Sequence, residues 1–132
     1  MTLEEALFSY LKSFSGLAAL VGTRLYPSLM PQNVKLPAVS FQRISTIEEY
    51  HLGGSANLVH PLFQFSCWAQ KYSEAKAVAA QIRQALNVYT GTMGGVDGVE
   101  IYGSFRENEL DFYDAAAGLY HVPVDFRIWH KA

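Results

Sequence analysis

Leu3, Leu7, Tyr10, Leu11 and Phe14 recur at helical spacing and form one apolar stripe along the start of the chain. Thr2-Leu3-Glu4-Glu5 immediately before them has the form of a capping box: the Thr hydroxyl accepts from the backbone three residues on, and Glu5 reaches back. The pattern predicts a helix that ends at Ser15-Gly16, followed by a further short turn over Leu17 to Val21 that Gly22 closes. Tyr26 to Pro31, with Pro37, removes three amide donors and reads as an irregular crossing. From Ala38 to Ile47 apolar Val39 and Phe41 alternate with Ser40 and Gln42, which predicts a strand. A second strand is expected from about Leu58 to Trp68. Between them, polar and glycine-containing Glu48 to Ser55 reads as an extended loop, with Glu48 to Asn57 mobile in an isolated subunit.

Helical spacing returns at Ala75, Val78, Ala79, Ile82 and Leu86, with Ser73 as the expected cap. Glycines 91, 94, 95 and 98 mark a turn-rich connection into a strand beginning at Val99. An acidic stretch, Glu107 to Asp114, and a break at Gly118 come before the clearest alternation in the chain. Tyr120, Val122, Val124, Phe126 and Ile128 are set there against His121, Pro123, Asp125 and Arg127, so one face is core and the other meets solvent or a neighbour. The order predicts one α+β domain, residues 1–132: an antiparallel β-sheet with two α-helices packed on one face. Leu7, Leu11, Val78, Ile82, Val122, Val124 and Phe126 are its expected common core.

Composition changes this picture in one respect. Charged residues are 17% of the 132, against about 25% in an average soluble domain, while eight Phe, eight Tyr and two Trp are present. A surface short of charge and rich in aromatics suits contact with other protein subunits. The net charge of −2 and the scattered Lys and Arg supply no basic stripe, so nucleic acid is not an expected direct partner. No stretch approaches the length of a membrane span, and Glu4 and Glu5 stand where a secretion signal carries positive charge, so synthesis in the cytoplasm is expected. Cys67, in the run Phe63 to Trp68, reads as a small buried hydrophobe.

Candidate chemistry is thin. His51, His60, His121 and His130 have no metal-site spacing, and the glycines at 91 to 98 are not followed by the Lys-Ser or Lys-Thr of a phosphate loop. Glu48, Glu49, Glu107, Glu109, Asp111 and Asp114 read as a solvated or partner-facing acidic rim, since no positioned base or nucleophile accompanies them. No enzyme activity, cofactor or metal is expected. Trp68 and Trp129 suit a core or an interface equally.

Several stretches are familiar: Leu17 to Pro27, with Gly22-Thr23-Arg24-Leu25-Tyr26-Pro27; Leu36 to Ser45; Phe63 to Ala69 running into Tyr72-Ser73-Glu74-Ala75; and Tyr113-Asp114, Gly118-Leu119-Tyr120 and Asp125 to His130. From about Leu3 to His130 the chain resembles the small tail-completion, or tail-terminator, proteins of long-tailed bacteriophages and prophages. His60-Pro61 departs from that pattern, because proline removes a ladder donor at the start of the second long strand. The resemblance implies a structural subunit of a ring, commonly of six copies, that ends the tail tube and joins tail to head. Its partners would be further copies of itself, the tail tube protein and a head-completion protein. Its place would be the head-proximal end of the tail in the virion. Candidate partner-binding residues are Glu48, Glu49, Tyr50, His51 and Leu52, and after them Glu107, Glu109 and Asp111. The alternatives are a small ligand-binding or enzymatic α+β domain, or another head-tail connector component.

Overall fold

A computed structural model describes residues 1–54 and 56–132. Helix α1, Leu3–Ser13, starts as the capping box requires: Thr2 Oγ1 accepts from Glu5 N at 3.1 Å, and Glu5 Oε1 accepts from Thr2 N at 3.1 Å. Leu17 to Val21, expected as a further short turn, belongs to a full helix α2, Ser15–Val21, which takes in the expected break at Ser15-Gly16 and is ended by Gly22 at φ 59°. Helix α3, Tyr72–Leu86, begins one residue before Ser73, which is therefore inside the first turn; the N-cap is Lys71, with no side-chain cap bond.

Among the described residues the sheet has nine strands: β1 (Leu25–Pro27), β2 (Ala38–Ser45), β3 (Glu48–His51), β4 (Gly54–Val59), β5 (Leu62–Ala69), β6 (Gly91–Met93), β7 (Val99–Glu109), β8 (Phe112–Asp114) and β9 (Leu119–Lys131). It is mixed rather than purely antiparallel, and three helices accompany it rather than two. The parallel element is β1, which pairs with β2 at Leu25↔Val39 inside the segment expected as an irregular crossing. Pro27 is tolerated there because β1 is an edge strand.

Strand β9 is the spine. On one flank it pairs with β5 along Leu62↔Arg127 to Ala69↔Tyr120, and beyond that with β4 at Leu58↔Lys131 and Val59↔His130. On the other flank lie β7, up to Glu109↔Val124, and then β8 at Phe112↔His121 to Asp114↔Leu119. Its alternation sends Val122, Val124, Phe126 and Ile128 into the core, together with Phe41, Phe63, Phe65 and Ile101 from neighbouring strands. All seven expected core residues are fully buried in that one cluster. The aromatic rings interlock, with Phe41 stacked on Phe65 at 5.6 Å and Phe126 edge-on to Phe65 at 6.0 Å. The side chains of α1, α2 and α3 belong to the same cluster, so all three cover this face. Among the described residues the opposite face carries no helix.

Most of the expected loop Glu48 to Ser55 is strand, and so is most of the acidic stretch expected as a rim. Glu48–His51 and Gly54–Val59 form a hairpin arm that turns at Leu52-Gly53, and the acidic stretch continues β7 and makes β8. The arm prolongs the β2–β5 pair beyond a break at His60-Pro61 and projects past the end of β9. The β8–β9 hairpin turns at the other end of β9 and closes on Gly118 at φ 66°.

Candidate interaction surface

The helix-free face is built from the polar set of the alternating strands: Ser40 and Gln42 on β2, Gln64, Ser66 and Trp68 on β5, and His121, Pro123, Asp125, Arg127 and Trp129 on β9. Two aromatic pairs anchor it. Trp68 lies flat against His121 at 3.9 Å and 4°, and donates from Nε1 to Ser40 Oγ at 3.3 Å. Trp129 lies flat against His60 at 3.8 Å and 10°. Burial lowers the pKa of His121 below the ordinary histidine value, because the charged ring loses its hydration while Nε2 has no hydrogen-bond partner among the described residues. Burial likewise pushes the Cys67 thiol well up, which leaves it inert.

Of the candidate partner-binding residues, Glu48, Glu49, Tyr50 and His51 make up β3, and Leu52 stands at the tip of the arm, fully exposed. Tyr50 is 70% exposed and donates to Glu48 Oε2 at 2.7 Å. Glu49 is half-exposed, and its Oε1 accepts from Nε2 of buried His60 at 2.6 Å. Glu107 takes Arg127 in a two-pronged pair, at 3.0 and 3.2 Å, while Arg127 also donates to the His60 carbonyl at 3.2 Å. Glu49, His60, Arg127 and Glu107 thus form one chain of contacts across the base of the arm. Glu109 and Asp111 do not join it. They face α3, where both accept from Lys76, and Asp111 also accepts from Tyr72 Oη at 2.8 Å. That Tyr72 bond, and then Lys76, hold the Asp111 carboxyl below its ordinary range. The acidic rim therefore largely spends its charge inside the subunit, clamping the β7–β8 bend to α3.

Sequence reasoning did not single out Arg127, or His60 as the residue that joins arm to body. His60 left one trace, the departure at His60-Pro61. Arg127 appeared only as one polar member of an alternating strand.

One surface groove, of about 540 Å³, is lined by Met1 to Glu4, Arg43, Gly98 to Glu100 and His130 to Ala132. Its arginine is already paired with Glu4 at 2.9 Å. Among the described residues no group of acidic, histidine or cysteine side chains is placed to hold a metal ion, and no helix is long and apolar enough to cross a membrane.

A family model described as tail completion protein gp17 matches residues 5–131. The chain belongs to the tail completion protein gp17 family. Its function is accordingly a structural one in the phage tail and its joining to the head. A chain in a solved structure described as the virion of a native gene transfer agent particle is similar in fold. It is 21% identical, with a TM-score of 0.82, over 98% of this chain and 95% of that one. A second solved structure, 14% identical, superposes with a TM-score of 0.58 over 100% of this chain and 96% of the other. No curated protein matches.

Proposed function

We propose that this tail completion protein is a non-enzymatic subunit of a ring, six copies around, that ends the tail tube at its head-proximal end and presents a surface to the head-side connector. The family match over residues 5–131 carries this reading. The gene transfer agent particle supports it, since a chain of the same fold is found there in a virion. The surface adds a physical reason: large apolar side chains stay exposed at Ile44, Ile47, Tyr50 and Leu52 on and beside the arm. A second group, Leu110, Phe112 and Tyr113, is exposed around β8. Such patches suit burial against further protein. The tail tube protein and a head-completion protein are the proposed partners on the two sides of the ring, with the arm, Glu48 to Leu52, as the first candidate for contact. The rival, a ligand-binding or enzymatic domain, calls for a concave pocket with converging polar groups. The groove at the chain ends instead has its arginine and a glutamate paired with each other.

Deletion of the gene from an inducible phage tests the reading by electron microscopy of the lysate. Filled heads separate from tails, with tails of uncontrolled length, are expected. Normal infectious particles would show that the protein has no such role.

A further inference from the structure

Helices cover several edges of the sheet. Strand β1 is covered by α1, and so is β6 at the far side: Gly94, beside β6, lies so close to α1 that a Cβ there would come within 3.1 Å of Ala6 Cα. The outer edge of β7 is occupied by α3 and by Asn87 and Val88 just past its C-terminus. Val88 N donates to Ser104 O at 2.7 Å, Arg106 N reaches Asn87 Oδ1 at 3.4 Å, and Lys76 holds Glu109. At the two ends of the sheet, β3 pairs only with β4 and β8 only with β9 among the described residues, so each has one side with no strand beside it. An open edge is a template for another strand, which proteins normally cover or shorten.

These two edges are placed to complement each other. Strand β3 lies beyond the C-terminal end of β9 on the flank of β4 and β5; β8 lies at the N-terminal end of β9 on the opposite flank. They cannot meet within one molecule. β4 is antiparallel to β9 and β3 is antiparallel to β4, so β3 runs with β9, while β8 runs against it. A neighbour in the same orientation would therefore bring its β8 to this copy's β3 antiparallel, the pairing with the better hydrogen bonds.

We propose that the β3 edge of one copy pairs with the β8 edge of a second copy, so that the sheet continues from subunit to subunit. The proposal rests on the ring reading above and names the contact that builds it. Two different edges meeting head to tail make a heterologous contact, which repeats and closes into a ring when the rotation allows. Strands of four and three residues supply few bonds, so one contact is weak and the closed assembly is stable.

Disulfide trapping tests the pairing. Tyr50→Cys subunits are mixed with Phe112→Cys or with Tyr113→Cys subunits and oxidised, both as concentrated protein and in assembled tails; native Cys67 is buried and silent. Adjacent strand residues face opposite sides. One of the two mixtures should therefore give a mixed disulfide dimer at about tenfold the yield of a Ser13→Cys control, at an exposed position of α1, because only that pair meets the distance a disulfide needs. Equal yields from both mixtures, or neither exceeding the control, would overturn the pairing. If deletion of the gene leaves tails defective and no disulfide forms, the edge contact alone is wrong. If the disulfide forms and particles assemble without the protein, the contact stands and the tail reading falls.

Discussion

His121 shows how one position of an alternating strand acquires chemistry from its neighbours. The polar side of β9 places its ring on Trp68, and burial there lowers its pKa below the ordinary histidine value of 6.5. The folded state therefore prefers the neutral ring. The stability this contributes is complete above 6.5 and is lost as pH falls through the lower folded value. Because the ring lies against an indole, protonation can be followed directly: tryptophan fluorescence should fall with a midpoint below 6.5, and His121→Gln should remove that part of the change. A decline unaltered by the substitution would show that the stack is not its source. Cys67 is the opposite case, legible from its apolar run alone, because burial of a small side chain needs no partner to be named. His121 was legible as a polar strand position but not as a stacking partner, since the stack depends on the register of β5 against β9.

At the scale of elements, legibility followed the strength of periodicity. β9 and α3 have long, regular patterns, and their buried faces stand where the spacing puts them. The arm did not read as structure because Glu48, Glu49, Gly53 and Gly54 carry loop composition, while its strand pairing comes from continuing the β2–β5 ladder past Pro61. Likewise, β1 is three residues ending in proline, and only a parallel partner makes it a strand. Beside the β4–β9 ladder, His60 holds the arm to the body: its ring stacks on Trp129 and bonds Glu49, its amide donates to Ile47 O at 2.8 Å, and its carbonyl accepts from Arg127. His60→Ala removes the ring contacts and leaves the backbone ones. A hydrogen bond to a charged group and its stacking are worth about 1.5 kcal/mol or more, so amide exchange in β3 and β4 should quicken by roughly tenfold. Exchange in β9 around Val124 should stay slow. Uniform quickening across the sheet would mean that His60 supports the core rather than the arm.

For the whole molecule, the decisive quantity is how a small contact is multiplied by assembly. The subunit buries a continuous core under three helices and leaves Leu52 fully exposed at the tip of the arm. Leu52→Asp adds no buried charge, so the isolated subunit should keep its melting behaviour, with a change within about 0.5 kcal/mol. In a particle the same substitution places a carboxylate wherever the arm meets a neighbour. If about 1 kcal/mol is lost at each contact, six contacts in the proposed ring lose roughly 6 kcal/mol, about four orders of magnitude in the assembly equilibrium. A gene carrying Leu52→Asp should therefore fail to restore joined particles to a deletion phage, while Tyr50→Ala, which removes a largely exposed ring without adding charge, should restore them in part. The lysates are scored by counting joined particles in micrographs, with the melting temperature of each purified variant measured alongside. Full restoration by Leu52→Asp would exclude the arm tip from every contact that matters for joining. A lowered melting temperature would instead place the fault in folding.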